Sequence, residues 1–369
     1  MAGSVAQGGT HVVCEVPVEL LFSDIDVKSS NTEHLIPSFT DAWYEHHLRH
    51  SNLSIMRFEP HRELFRYFLG QSASPKPYLE WYRKIYVTRG LEPPMSPGEL
   101  LRQRKEEFEN MKNALADNSS FFYDHPIEVS YHPSGYFNMK DGHHRASFLY
   151  CCGVRRVFAR MSAEDHATWV NAEQAAAVKR VVKAQQRRLI YTPILNPAFY
   201  DWRSERDENY PTRLDHMLHY LGPDQLRGAR VLDIGCNIGY HARCLTREGA
   251  IVTGIEHDPV HCELLMKLND LEQTHFDWIQ ASFEDIEPGR FDMGVLLTVF
   301  YHVMKKEDRC SAFLAKLNAS VTRLLFWESG DEPESEKRMI LENTDFAYYE
   351  KLANTFGTGK HRELGVFLK

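Results

Sequence analysis

Val231-Leu232-Asp233-Ile234-Gly235-Cys236-Asn237-Ile238-Gly239 is an apolar run that stops at a glycine-rich turn, and Glu256 closes a second apolar run. Strand, glycine turn, helix and a second strand ending in an acid is the order in which an α/β sheet holds an adenosine. Gly235 and Gly239 let the backbone approach a ligand that a Cβ would block. Asp233 offers an acceptor to a ligand's ammonium, directly or through water. Glu256 stands 23 residues after Asp233 (256 − 233), near the ~20-residue spacing of a ribose-binding acid. A carboxylate there takes both ribose hydroxyls.

Working outward, the chain from about Arg227 to its end alternates strand and helix. Strands are expected near Ala229–Ile234, Ile251–Glu256, Phe276–Ala281, Phe291–Leu297 and Thr322–Trp327, with amphipathic helices such as Pro259–Leu271 and Lys305–Leu317 between them. This alternation implies a parallel sheet with right-handed crossovers, whose carboxyl edge receives the glycine turn. Ser282 and Phe283 follow the third strand, where an adenine edge and face would be met.

The stretch Val231–Tyr240 resembles the first motif of class I S-adenosylmethionine (SAM)-dependent methyltransferases. Gly254-Ile255-Glu256-His257-Asp258-Pro259 resembles their second motif. Phe291–Val303 resembles their fourth-strand motif in the version ending with an aromatic residue and a His. The resemblance covers residues 190–369. It implies SAM as cofactor, with Asp233, Gly235, Asn237, Gly239, Glu256, His257, Ser282 and Phe283 around it. Where many relatives carry Asp after the third strand, this chain has Ser282. The family also implies a Rossmann-like sheet of seven strands, with Glu363–Leu368 as the last, antiparallel one.

Methyl transfer from a sulfonium is an in-line displacement in which alignment carries much of the rate. A hydroxyl acceptor gains from a base of near-neutral pKa, and His302, just past the fourth strand, suits that role. Its alternative is a helix-start residue that shapes the pocket and moves no proton. An anionic acceptor needs no base. Tyr301 and Glu328 are its neighbours by topology. Trp202, Tyr210 and Arg213 form either an acceptor wall or plain packing of the lead-in segment.

The first block, residues 1–162, is rich in His, Tyr, Phe and Pro and reads as a smaller α+β domain. A loop-rich stretch from Gln71 to Pro97 precedes a polar helix, Pro97–Ala116. A hairpin follows, with strands near Ile127–Ser130 and Tyr136–Met139. Asp141-Gly142-His143-His144-Arg145 then opens a helix over Ala146–Cys151, with a strand at Arg156–Arg160 after it. Helix-opening N–H groups and an Arg fork attract anions. The bland alternative is an N-capped helix with Asp141 as cap. Asn138–Ala146 resembles the D-G-H-H-R segment of ParB/sulfiredoxin-like domains over residues 122–162. This implies a phosphate or nucleotide site (ATP, ADP or another) at Asp141–Arg145. A phosphotransferase would also need a base and a metal-binding acid, for which Glu19, Asp24 and Asp26 are available. His34, His46, His47, His50 and His61 read as a His-rich surface or interface, and no metal site is expected. Residues 163–226 form a linker and lead-in, read as one long helix over Ala163–Leu189. Residues 227–369 form the methyltransferase-like domain.

Composition narrows the class. Hydrophobic residues make up 43% and charged residues 25%, the balance of a globular protein. No apolar stretch approaches the roughly 18 residues of a membrane span. The first ten residues lack the layout of a signal peptide and read as a disordered leader. Seven cysteines without a paired framework point to a reducing cytoplasm. A net charge of −8 argues against duplex nucleic acid as the main partner. The fourth-strand motif resembles methyltransferases acting on carbohydrates, including the bifunctional kinase–methyltransferases that cap O-antigen polysaccharides. The expectation is methylation of a glycan or phosphorylated glycan end in lipopolysaccharide biosynthesis, coupled to nucleotide binding or phosphate transfer and to a glycan-assembly complex. A small-metabolite or tRNA acceptor, and a regulatory SAM- or nucleotide-binding role, are the alternatives.

Overall fold

In the computed structural model, the structure describes residues 10–23, 53–87, 90–185, 190–204, 206, 210–222, 225–357 and 359–369. The expected leader, Asp24, Asp26 and the histidines at 34, 46, 47 and 50 lie outside the described residues. The chain divides into two compact units, up to Trp169 and from Val170 onward.

The second unit is built on a seven-stranded sheet. Val231, Leu232 and Ile234 are buried, and such a continuous apolar run suits a parallel strand covered on both faces. This strand, Arg230–Ile234 (β6), lies at the centre. Ile251–Glu256 (β7) and Asp277–Gln280 (β8) extend the sheet on one side, and Phe291–Leu297 (β9) and Val321–Glu328 (β10) on the other, all parallel. The chain therefore reverses its direction of travel across the sheet between β6 and β9, and a crevice opens beyond the carboxyl ends of those strands.

Lys360–Leu368 (β12) runs antiparallel beside β10, and Tyr348–Gly357 (β11) pairs antiparallel with β12 at the edge. The antiparallel closing strand thus begins at Lys360 rather than Glu363. Leu232, Ile234, Leu296, Phe313, Leu325, Trp327 and Phe367 share one core cluster. A second cluster joins Ala175, Val178 and Val181 to Leu264, Leu268 and Leu271 of the Pro259–Leu271 helix.

One helix expectation needs correction. Ala163–Leu189 is not one helix: it breaks into Ala163–Val170 and Ala172–Ala184. Asn171 sits between them in the left-handed region (φ 38°, ψ 65°), and its side chain accepts from Gln174 N. Asn tolerates that conformation and serves as an N-cap. The expected helix Lys305–Leu317 is the single helix Glu307–Ser320, preceded by a separate short helix, Phe300–Met304.

The first unit holds a five-stranded mixed sheet: His11–Pro17 (β1), Leu21–Phe22 (β2), Ile127–His132 (β3), Tyr136–Asp141 (β4) and Arg156–Ser162 (β5), in the order β1-β5-β3-β4-β2. Helices Glu59–Phe68, Pro97–Ala116 and His143–Cys151 pack through Phe65, Phe108 and Phe148, whose rings meet at 5.7–6.5 Å. Among the described residues, no helix is long and apolar enough to cross a membrane.

Candidate active site

The turn after β6 is shaped by three residues at positive φ: Gly235 (73°), Asn237 (53°) and Gly239 (78°). The N–H groups of Gly235 and Cys236 both donate to the Ile255 carbonyl, at 2.8 and 3.0 Å, which ties the turn to β7. A Cβ on Gly235 would sit 2.6 Å from Val299 Cγ2, and one on Gly239 would sit 2.7 Å from Phe276 Cζ. The expectation that Gly239 yields room to a ligand is therefore corrected. Its neighbours are protein atoms, and the close approach is between the turn and the aromatic ring beneath it.

A cavity of about 590 Å3 opens over the carboxyl ends of β6, β7 and β9. Gly235, Asn237, Glu256, His257, Ser282, Phe283, Tyr301 and His302 all line it. So do Tyr191, Thr298, Lys306, Arg309 and Phe313, which the sequence reading did not single out. Thr298 has φ 55°, a conformation that no spacing rule reveals. Asp233 and Gly239 stand outside this wall.

Glu256 Oε2 accepts from Asn237 N (2.9 Å) and Oε1 from Asp258 N (2.8 Å). Burial alone would raise its pKa, but these donors, with His261 and His257 beside it, hold it below the ordinary carboxylate value. It is therefore ionised and keeps lone pairs for further donors. Asp233 is 4% exposed and its Oδ2 has no hydrogen-bond partner. Burial first, and then the Glu256 carboxylate, push its carboxyl up to about 7. A buried acid with an orphaned oxygen is stabilised by a cation.

At the far wall, the rings of Tyr301 and His302 lie 3.9 Å apart. Tyr301 packs against Gly330, where an added Cβ would collide with the root of its ring. Gly330 N in turn donates to Glu336 Oε1 at 2.7 Å. Lys305 and Arg362 sit over the Tyr301 ring at 5.2 and 5.5 Å. Desolvation, then Lys305 and Arg362, lower the His302 pKa, so its ring is neutral near pH 7.

Glu328 has a structural part instead. It is fully buried and accepts from Arg206, from Arg213 (3.1 Å) and from Thr355 (2.5 Å). Arg213 thus anchors the lead-in segment to the end of β10, and Trp202 packs on Phe199 at 4.9 Å. Two arginines converging on one strand-end acid give no local sequence signal, because the partners are more than a hundred residues apart.

Residues 231–322 match the family described as "Methyltransferase domain". The ubiquinone biosynthesis O-methyltransferase of Vibrio vulnificus is 27% identical over 197 residues, covering 43% of this chain and 83% of that protein. The one from Vibrio atlanticus is 34% identical over 137 residues, covering 33% of this chain and 56% of that protein. Among solved structures, the bifunctional kinase-methyltransferase WbdD aligns with TM-score 0.43 and 22% identity over 52% of this chain and 46% of its own. Magnesium protoporphyrin IX methyltransferase from Synechocystis PCC 6803 aligns with TM-score 0.33 and 17% identity over 39% of this chain and 71% of its own.

The C-terminal unit carries a SAM-dependent methyltransferase domain. SAM supplies a methyl group on a positively charged sulfur. Two features of the cavity suit such a ligand, an ionised Glu256 with lone pairs to spare and the buried Phe283 ring, while the orphaned Asp233 oxygen lies outside its wall.

The Asp141–Arg145 turn lies in the other unit. Its helix spans His143–Cys151, with Gly142 as N-cap (φ 90°) and no side-chain capping bond. The reading of Asp141 as cap is corrected: its Oδ2 instead accepts from Arg145 Nη2 at 2.9 Å. Burial pushes His143 down to about 4 and His144 down to about 3, so both rings are neutral. His61, read as part of a His-rich surface or interface, is 3% exposed and lies 4.2 Å from His144, ring to ring. Among the described residues, no group of three or more His, Cys, Asp or Glu is placed to hold a metal.

Proposed function

We propose that the chain transfers a methyl group from SAM to an oxygen of an anionic glycan end, such as a phosphorylated sugar. In this reading Asp233 takes the SAM ammonium directly or through one water. Glu256 takes the ribose hydroxyls beside Asn237 and His257. Ser282 and Phe283 meet the adenine, and the methyl points at Tyr301 and His302.

The observation that carries the acceptor class is the charge around those two rings. Arg309 is paired with Glu284 (2.9 Å), and Lys360 with Asp331 (2.7 Å). Lys306 in the cavity wall, and Lys305 and Arg362 over the Tyr301 ring, have no salt bridge among the described residues, although Asp331 lies near the latter two. An acceptor bearing a phosphate satisfies them. Its oxygen is already anionic, so His302 positions it by hydrogen bonding and needs to remove no proton.

Support for oxygen as acceptor atom comes from the likeness to the O-methyltransferases. That likeness also favours a second reading, a small-molecule acceptor. Nucleotide binding by the N-terminal unit, with phosphate transfer coupled to methylation, is not part of this proposal, because the Gly142-opened helix alone speaks for it. Because Arg145 is already paired there, methylation is expected to require neither ATP nor ADP. A cytoplasmic site of action, beside a glycan-assembly complex, accords with seven free thiols.

The test is methyl incorporation from labelled SAM into an oligosaccharide with a terminal phosphomonoester and into its phosphatase-treated twin. Only the phosphorylated form should be methylated, and Lys305→Ala with Lys306→Ala should raise its KM about tenfold. Equal methylation of both forms would refute the anionic acceptor. A neutral small molecule methylated without regard to the lysines would establish the second reading.

A further inference from the structure

The N-terminal unit contains a cavity of about 540 Å3, bounded by the Lys76–Val87 and Pro97–Ala116 helices and the Asp141–Arg145 turn. Its volume lies in the range of small-molecule sites. Its wall combines the rings of Phe58, Trp81 and Phe121 with polar groups.

His61 is the informative residue in that wall. It is 3% exposed and caged by Phe58, Trp81 and His144 at ring distances of 4.8, 5.0 and 4.2 Å, yet neither ring nitrogen has a hydrogen-bond partner. His143 Nε2 and Arg145 Nε, in the same wall, are also buried without partners. A buried polar atom left unmatched costs about 1–3 kcal/mol, so several of them on residues that line one cavity point to a polar ligand that completes them.

The charges define what kind. Arg145 is paired with Asp141 at 2.9 Å and Arg104 with Glu107 at 2.6 Å. His61, His143 and His144 are neutral, held there above all by burial, with His144 adding to it at His61 and Arg104 at His144. Each cation of the described wall therefore has its acid, and a polyphosphate would have to displace both. A neutral imidazole presents one donor and one acceptor, and the amide of Asn110 at the exposed rim adds an NH2 that donates and a carbonyl oxygen that accepts. A row of hydroxyls, each able to donate and accept, matches such a surface. The aromatic rings cover the C–H face of the ring that carries the hydroxyls.

We infer that this cavity binds a neutral pyranose of about one or two sugar rings, seated on Trp81 and Phe58. Its hydroxyls would bond His61, His143 and the Arg145–Asp141 pair. The site is separate from the methyl-acceptor cavity and does not rest on the acceptor reading. It replaces the phosphate reading of the Asp141–Arg145 turn with one in which the turn's charges orient hydroxyls.

The experiment titrates the full-length protein with methyl glycosides of mannose, glucose, galactose, N-acetylglucosamine and rhamnose, and separately with ATP and ADP, by ligand-observed NMR. At least one glycoside should bind saturably, with affinity changing less than about twofold when NaCl is raised about tenfold. Trp81→Ala should weaken it at least about tenfold and Asn110→Ala about fivefold. Asn110 is exposed, so the second variant reports even if the first unfolds, which thermal unfolding reveals. The inference is overturned if no glycoside binds, if ATP or ADP binds instead in a salt-sensitive manner, or if both variants leave glycoside binding unchanged. That last result would place the sugar in the acceptor cavity.

Discussion

Asp233 and Glu336 are two buried acids whose protons respond to opposite demands. Asp233 titrates at about 7 in the free protein because burial and Glu256 disfavour its charge. A bound ammonium favours the ionised form, so SAM affinity should rise as pH increases through about 7. Asp233→Asn should abolish that slope and weaken binding about tenfold; affinities at pH 6 and 8 measure both effects. Glu336 is fully buried, is also raised to about 7, and holds Gly330, on which Tyr301 rests. The folded state thus binds its proton more tightly than the unfolded chain does. The sign follows: between about pH 4.5 and 7 the unfolded state releases the proton first, and stability falls as pH rises. Glu336→Gln should remove that fall, gaining about 1–3 kcal/mol relative to wild type at pH 8 over pH 5 in denaturant unfolding.

At the scale of elements, the β6 turn shows how far pattern reaches. That Gly235 and Gly239 mark a tight turn with no room for a Cβ was legible from glycine itself, though the positive φ they share with Asn237 was not. What each hydrogen faces was not, since Val299 and Phe276 come from elsewhere in the chain. Gly239→Ala should therefore lower stability by about 2 kcal/mol or more through strain and collision with Phe276, measurable as a lowered thermal midpoint even without SAM. The central strands were legible as continuous apolar runs; β7 and β9 have the bounds their composition announces. Strand β11 was not, because Tyr348 (70% exposed) and Phe356 (53% exposed) face solvent on an edge and its Glu, Lys and Asn break any alternation. Asn171 read as one more polar helix residue, and only its left-handed backbone shows that it ends one helix and caps the next.

At the scale of the whole molecule, the two units carry different kinds of chemistry. The C-terminal sheet gathers residues from β6, β7, β9 and the segments after them around one cavity, and the sequence named eight of its lining residues, those at or just past the end of a recognisable strand. The N-terminal cavity joins His61 to the Asp141–Arg145 turn across some eighty residues. Its neutral, paired character is a property of burial that a motif of Asp, His and Arg does not display. The account's central claim is that the cavity over β6 and β7 is the SAM site, with Glu256 as its ribose acid. Calorimetric titration of the full-length protein with SAM tests it most directly. Wild type should bind one equivalent, and Glu256→Ala, with an unchanged thermal midpoint, should lose at least about a hundredfold in affinity. Wild type that does not bind SAM, or a folded Glu256→Ala that binds it equally well, would contradict the account.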